Sequence, residues 1–209
     1  MLIAHRAGNT PETLRAAAAA GTCDVAEADV HLFRGRLEVR HAKTVGPIPL
    51  LWERWHLIDR SAPRPVLEEL LEVAASLDIG LMLDLKGPDP RMVGAVRRAI
   101  AGWGGGRRLF VCGRIWRTID GLRETADVRT LHSVGSRWQL RALRRRYRAG
   151  DLEGVTLDWR LLTPSVVADM RAMAPEVWAW IVDDPVRAET LTGWGVTGIT
   201  TDVPELIRA

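Results

Sequence analysis

DVAEADVH, residues Asp24–His31, reads as a β-strand with two unlike faces. Side chains alternate across a strand. Val25, Glu27, Asp29 and His31 therefore share one face, and Ala26, Ala28 and Val30 share the other. The small apolar face suits helices packed closely on the outside of a sheet. The acidic face then points inward. Burying two neighbouring carboxylates is costly unless a cation or partner neutralises them. The carboxylates also lie towards the C-terminal end of the strand, the end where closed parallel barrels build their sites.

Outward from this strand, short apolar runs alternate with helical stretches. Strand signals fall at Leu2–His5, Asp24–His31, Ile79–Leu85, Arg107–Cys112, Val128–Leu131, Gly154–Leu157, Val177–Val182 and Gly198–Thr201. Helix signals fall at Pro11–Ala20, Val66–Leu77, Pro90–Ala101, Trp116–Thr125, Trp138–Arg148, Ser165–Met173 and Val186–Trp194, with a short last helix from near Pro204. Such alternation predicts an all-parallel sheet. Eight repeats predict closure into a (β/α)8 TIM barrel. An open doubly wound sheet is the alternative, but no G-x-G-x-x-G follows the first strand. No linker or low-complexity tract divides the 209 residues, which read as a single barrel domain.

One segment breaks the rhythm. A hairpin strand, Leu37–His41, leads into a Pro- and Trp-rich stretch that runs to Pro65. Within it, Pro47–Trp55 (PIPLLWERW) carries Leu50, Leu51, Trp52 and Trp55 at roughly helical spacing. The segment is expected on the loop side of the barrel, where it would shape substrate choice.

Composition narrows the function. The net charge of +3 and pI near 9.4 suit an anionic substrate without demanding nucleic acid. The basic run Arg141–Arg148 (RALRRRYR) lacks aromatic interleaving and reads as the wet face of a helix, so no nucleic-acid partner is expected. Cys23 and Cys112 make neither a disulfide framework nor a metal cluster. The nine tryptophans are read as packing first and substrate contact second. The opening MLIAHRAGNT has no basic n-region or long apolar run, and no stretch reaches the ~18 apolar residues of a membrane span. A soluble, cytoplasmic protein is expected.

Polar groups recur where the predicted strands end. His5 and Arg6 end the first strand, His41 ends the hairpin, and Asp84 and Lys86 follow the apolar run IGLML. With Glu27 and Asp29 this makes three carboxylates, two histidines, one Arg and one Lys on one rim. Three carboxylates are a hard oxygen set, suited to Mg²⁺ or Ca²⁺. Histidines beside a metal suit acid/base chemistry near neutral pH. Arg and Lys suit phosphate oxygens. His31 shares the acidic face and could compete with His41, but it reads as a rim histidine paired with a carboxylate.

In order along the chain stand HRAG (His5–Gly8), PET (Pro11–Thr13), EADV (Glu27–Val30), HA (His41–Ala42), DLK (Asp84–Lys86), WIVD (Trp180–Asp183) and GVTGITTDVP (Gly195–Pro204). This series resembles the glycerophosphodiester phosphodiesterase family, whose pattern runs H-R-G, P-E-N-T, E-x-D-V, H-D, E-x-K, W-T-V-N and G-V-x-G-I-x-T-D-x-P. The resemblance implies that Glu27, Asp29 and Asp84 hold the metal and that His5 and His41 are the acid/base pair. It implies phosphate or substrate contacts for Arg6, Lys86, Glu12 and Trp180. Ala42 departs from the family's Asp, the Asn of P-E-N-T is missing, and the family's long insertion is reduced to the Pro/Trp segment. Asp84 stands where most members have Glu, and there the chain is similar to the sphingomyelinase D branch.

The implied activity is metal-dependent cleavage of a glycerophosphodiester-type substrate to an alcohol and a phosphomonoester. Water or a neighbouring substrate hydroxyl could be the nucleophile. A lysophospholipase D or sphingomyelinase D-like activity on lysolipids, or a barrel that binds a phosphate ligand without turnover, are the alternatives.

Overall fold

The computed structural model describes residues 1–45, 48–53, 56–58, 64–103 and 108–208, and of residues 45, 48–53 and 56–58 the backbone alone. In chain order the first half comprises β1 (Leu2–Ala4), α1 (Pro11–Ala20), β2 (Val25–Phe33), β3 (Arg36–Val39), β4 (Lys43–Val45), β5 (Ile48–Glu53), β6 (His56–Ile58), α2 (Leu67–Ala74), β7 (Gly80–Lys86) and α3 (Met92–Ala99). The second half comprises β8 (Leu109–Gly113), α4 (Trp116–Asp120), β9 (Val128–Val134), α5 (Arg137–Arg146), β10 (Gly154–Asp158), α6 (Pro164–Met173), β11 (Glu176–Trp180), α7 (Pro185–Gly193), β12 (Gly198–Thr201) and α8 (Pro204–Arg208).

The strands β2, β7, β8, β9, β10, β11, β12 and β1 follow one another in parallel, and β1 pairs with β2 to close the ring. The closing register is Ile3↔Val25 and Ala4↔Ala26. The fold is therefore a (β/α)8 barrel, and the open-sheet alternative is excluded. β3 runs antiparallel on the far end of β2, from Val30↔Val39 to Phe33↔Arg36. Within the segment read at helical spacing, Ile48–Glu53 is extended instead: β4, β5 and β6 form a separate antiparallel sheet. The side chains of Leu50, Leu51 and Trp52, and Trp55 altogether, lie outside the described residues, and so does the expected substrate groove. Among the described residues, no helix is long and apolar enough to cross a membrane.

Helix starts follow local chemistry. Thr10 caps α1 in a capping box with Thr13. Ser136, Thr163 and Asp184 cap α5, α6 and α7, with Pro opening the last two. Each cap follows a strand end closely, so the helix N-termini crowd the same rim as the strand C-termini. α3 begins at Met92 rather than Pro90, because Asp89 accepts the Arg91 N–H at 2.9 Å and holds a turn there.

Packing has two layers. Outside, Ala26, Ala28, Val30, Leu81 and Leu83 pack beneath the helices with Leu14, Leu67 and Leu70. Inside, Ile3, Val25, Met82, Phe110, Cys112, Leu131 and Trp178 plug the barrel. The Trp178 and Phe110 rings lie 4.8 Å apart, centroid to centroid. Glycine makes room for this plug: a Cβ at Gly198 would meet the Trp178 indole at 2.6 Å. Above the plug, space is left at the C-terminal mouth.

Candidate active site

A cavity of about 450 Å³ opens at that mouth. The alternation within β2 and β7 carries Glu27, Asp29 and Asp84 into it. Asp29 and Asp84 are register partners on adjacent strands, and Glu27 sits two residues below Asp29. One carboxylate oxygen from each of the three lies within 4.8 Å of the others. Glu27 is 3% exposed and Asp29 1%.

The turn after β1 folds over these groups. Arg6 sits at φ 56°, which aims its N–H at Glu27 Oε2 at 2.7 Å. The Gly8 N–H reaches the Glu27 carbonyl at 2.8 Å, and a Cβ at Gly8 would press on that oxygen at 3.0 Å. Asn9 clasps Asp29 twice. Its Nδ2 donates to Asp29 Oδ2 at 3.0 Å, and its Oδ1 accepts the Asp29 N–H at 2.8 Å.

Two cations stand beside the acids. Lys86 Nζ lies 2.8 Å from Asp29 Oδ1 and also donates to Asp84, and Arg6 Nε lies 3.9 Å from Asp29 Oδ2. Burial, and then the charges of Asp29 and Asp84, push the Glu27 pKa well above the usual carboxylate range. Burial works against the Asp29 charge too, but Lys86 and the Asn9 hydrogen bond outweigh it and lower its pKa. Burial raises the Asp84 pKa despite Lys86. Burial also disfavours the Lys86 ammonium, yet Asp84 and Asp29 overcome it and raise its pKa.

His5 and His41 both line the cavity. His5 Nδ1 is bound to Asp202 Oδ1 at 2.7 Å, which orients the ring and leaves Nε2 for other partners. His31 lines the cavity as well. Burial, and then Arg40, depress its pKa to about 3, so it is neutral near pH 7. Trp180 forms part of the wall with the Arg114 guanidinium 5.3 Å over its ring. On the same side stand Ser133, Thr156 and Thr200. The Thr156 and Thr200 hydroxyls and the Trp180 indole N–H are buried without a hydrogen-bond partner.

Of the residues to which the resemblance gave a site role, Glu12 does not line the cavity. It is exposed in the first turn of α1, where its own backbone N–H and the Thr10 hydroxyl lower its pKa. Ala42 is buried and does not line the cavity. Sequence reasoning missed Asn9 and Asp202. Asn9 had a local signal, an amide just before the Thr10 cap in a loop leaving the acidic rim. Asp202 stood in a quoted motif, but its partner lies 197 residues away.

No family model and no curated protein matches the sequence. Solved structures do. An Oleispira antarctica phosphodiesterase in complex with the product sn-glycerol-3-phosphate superposes with a TM-score of 0.78 at 20% identity, over 100% of this chain and 95% of that one. A glycerophosphodiester phosphodiesterase from Parabacteroides distasonis gives 0.76 at 24% identity, over 99% of this chain and 94% of its own. One from Thermotoga maritima gives 0.65 at 18% identity, over 98% and 95%. At these identities the likeness establishes the barrel, shared along the whole chain.

Proposed function

We propose that the protein is a phosphoric diester hydrolase of the glycerophosphodiester phosphodiesterase family. It would cleave a glycerophosphodiester-type substrate to an alcohol and a phosphomonoester. The observation that carries this is the convergence of three carboxylates, Arg6, Lys86 and the histidines His5 and His41 on one cavity, on a barrel shared with enzymes of that activity. The whole chain serves as one catalytic domain in this reading.

The acidic group fits a divalent cation. Its donors are hard oxygens within 4.8 Å of one another, and burial with mutual repulsion pushes the Glu27 pKa up, the signature of a site short of positive charge. Glu27, Asp29 and Asp84 would hold Mg²⁺ or Ca²⁺. When bound, the ion supplies Lewis-acid stabilisation of charge on the phosphoryl oxygens.

The chain's own residues do the rest. Arg6 and Lys86 neutralise phosphate oxygens from the flank of the acidic group. His5, held through Nδ1 by Asp202, presents Nε2 for proton transfer. His41 is the second histidine, so one ring accepts the nucleophile's proton and the other protonates the leaving alcohol. Asn9 keeps the Asp29 carboxylate from rotating away. The Trp180 side of the cavity, with the unpartnered Thr156 and Thr200 hydroxyls, receives the alcohol portion.

The test is a screen of glycerophosphodiesters and lysolipids with Mg²⁺, Ca²⁺ or chelator, read by release of phosphomonoester. Turnover that needs the cation and is lost in Asp29→Asn supports the proposal. Undiminished turnover in excess chelator would remove the metal from it. Binding of a phosphomonoester with no turnover of any diester would replace it with a binding barrel.

A further inference from the structure

The rim over β9, β10 and β11 differs in character from the acidic side of the mouth. The helices α5, α6 and α7 begin there. Trp138, second residue of α5, is 75% exposed, and Val186, second residue of α7, is 70% exposed. Large apolar side chains in such positions are not accounted for by packing within the chain. Between them the turn Trp159–Leu161 presents the half-buried Trp159 ring, with Arg187 Cζ 4.8 Å and Arg160 Cζ 5.5 Å from its centroid. Arg137 and Arg141, one helical turn apart, are exposed beside Trp138, and Arg114 is exposed at the cavity edge.

Three carboxylates of this arc accept hydrogen bonds within the protein, while Glu189, one turn on from Val186, is exposed. Asp158 accepts the Arg160 N–H at 3.0 Å and pairs with its guanidinium at 3.3 Å. Asp184 accepts the Val186 N–H at 2.9 Å. Asp183 accepts from the Thr201 hydroxyl at 2.9 Å and the Asp202 N–H at 2.8 Å. Three helix N-termini add partial positive charge. The arc therefore offers apolar tips set among guanidiniums, a mixture that suits the headgroup boundary of an anionic bilayer. Tryptophan favours that boundary because its ring is apolar and its N–H is polar.

We propose that this arc docks the barrel mouth onto an anionic lipid surface. Trp138 and Val186 enter the acyl boundary, and Arg137, Arg141, Arg160 and Arg187 meet lipid phosphates. The cavity then faces the membrane, and a phosphodiester head group reaches the carboxylates without crossing bulk water. The docking itself does not depend on which diester is cleaved.

The test is co-sedimentation of the full chain with vesicles of phosphatidylcholine alone, or of phosphatidylcholine mixed with phosphatidylserine, without substrate. The wild type should sediment with the mixed vesicles and not with the neutral ones, and added salt should weaken binding. The double variants Trp138→Glu/Val186→Glu and Arg137→Glu/Arg160→Glu should each lose about tenfold or more in partitioning. Their near-ultraviolet circular dichroism and their turnover of a water-soluble diester should match the wild type. Equal binding to both vesicle types, no binding, or variants that bind like the wild type would overturn the proposal. Self-association abolished by Trp138→Glu, with no vesicle binding, would overturn it in favour of a second copy of the chain. Preferential binding of single-stranded DNA would overturn it in favour of nucleic acid.

Discussion

Replacing Glu27 by Gln should stabilise the cation-free protein while abolishing turnover. Glu27 is buried, and its carboxylate stands within 4.8 Å of those of Asp29 and Asp84. Unit charges at that separation interact by about 3.5 kcal/mol at an effective dielectric of about 20. Two carboxylates less the one Lys86 ammonium leave roughly one such repulsion facing Glu27. Gln keeps the side-chain oxygen that accepts the Arg6 N–H and turns its amide hydrogens towards the two aspartates. After relaxation, the expected gain at about pH 8 is about 1–3 kcal/mol. The sign with pH follows from the raised Glu27 pKa. A carboxyl whose folded pKa exceeds its unfolded value of 4.5 leaves stability intact below that value. The stability is lost as pH rises through the folded value. The gap between Glu27→Gln and wild type should therefore be small near pH 4.5 and grow towards pH 8. Urea unfolding in chelator across this range measures it. Repeating the series with Mg²⁺ should raise the wild-type midpoint and leave that of the variant unchanged. A variant less stable than wild type at about pH 8 in chelator, or a gap that does not change with pH, refutes the electrostatic reasoning.

Other expectations follow from the same geometry. His5→Ala and His41→Ala should each lower turnover by about a hundredfold or more, and the double variant should be little worse than the poorer single. If His31→Ala abolishes turnover and His41→Ala does not, the second histidine is His31. Asp202→Asn should lower kcat by about tenfold to a hundredfold and alter its pH profile, with KM nearly unchanged. An unchanged kcat would show that the contact to His5 is only structural. Trp178→Ala should destabilise the barrel by about 3–5 kcal/mol, read as a lowered denaturation midpoint, because the indole fills the interior against Phe110. A loss under about 1 kcal/mol would contradict the plug.

Much of the barrel was legible because its signals are local. Thr10, Pro11 and Gly21 punctuate α1 at both ends, and its predicted and observed limits coincide. The two-residue period in Asp24–His31 put Glu27 and Asp29 on one face whatever the rest of the chain does. The Pro47–Trp55 stretch was less legible. Its apolar spacing admits either period, and Ile48–Glu53 within it pairs as a strand with β4 and β6. Glu12 was carried towards the site by its motif, but the short loop and the capping box turn it to solvent.

Amino-acid order alone thus determined the alternation of elements, the inward acidic face of β2 and the chemistry available at the strand ends. Those properties depend on side-chain period and on residues a few positions apart. Tertiary structure alone decided which of these groups meet. Closure of β1 between β12 and β2 brings Asp202 to His5 and the turn at Arg6–Asn9 onto Glu27 and Asp29. The register of β2 with β7 sets Asp84 beside Asp29, with Lys86 between the charges. These contacts join residues far apart in the chain, and no local pattern encodes a distance that exists only once the ring has closed.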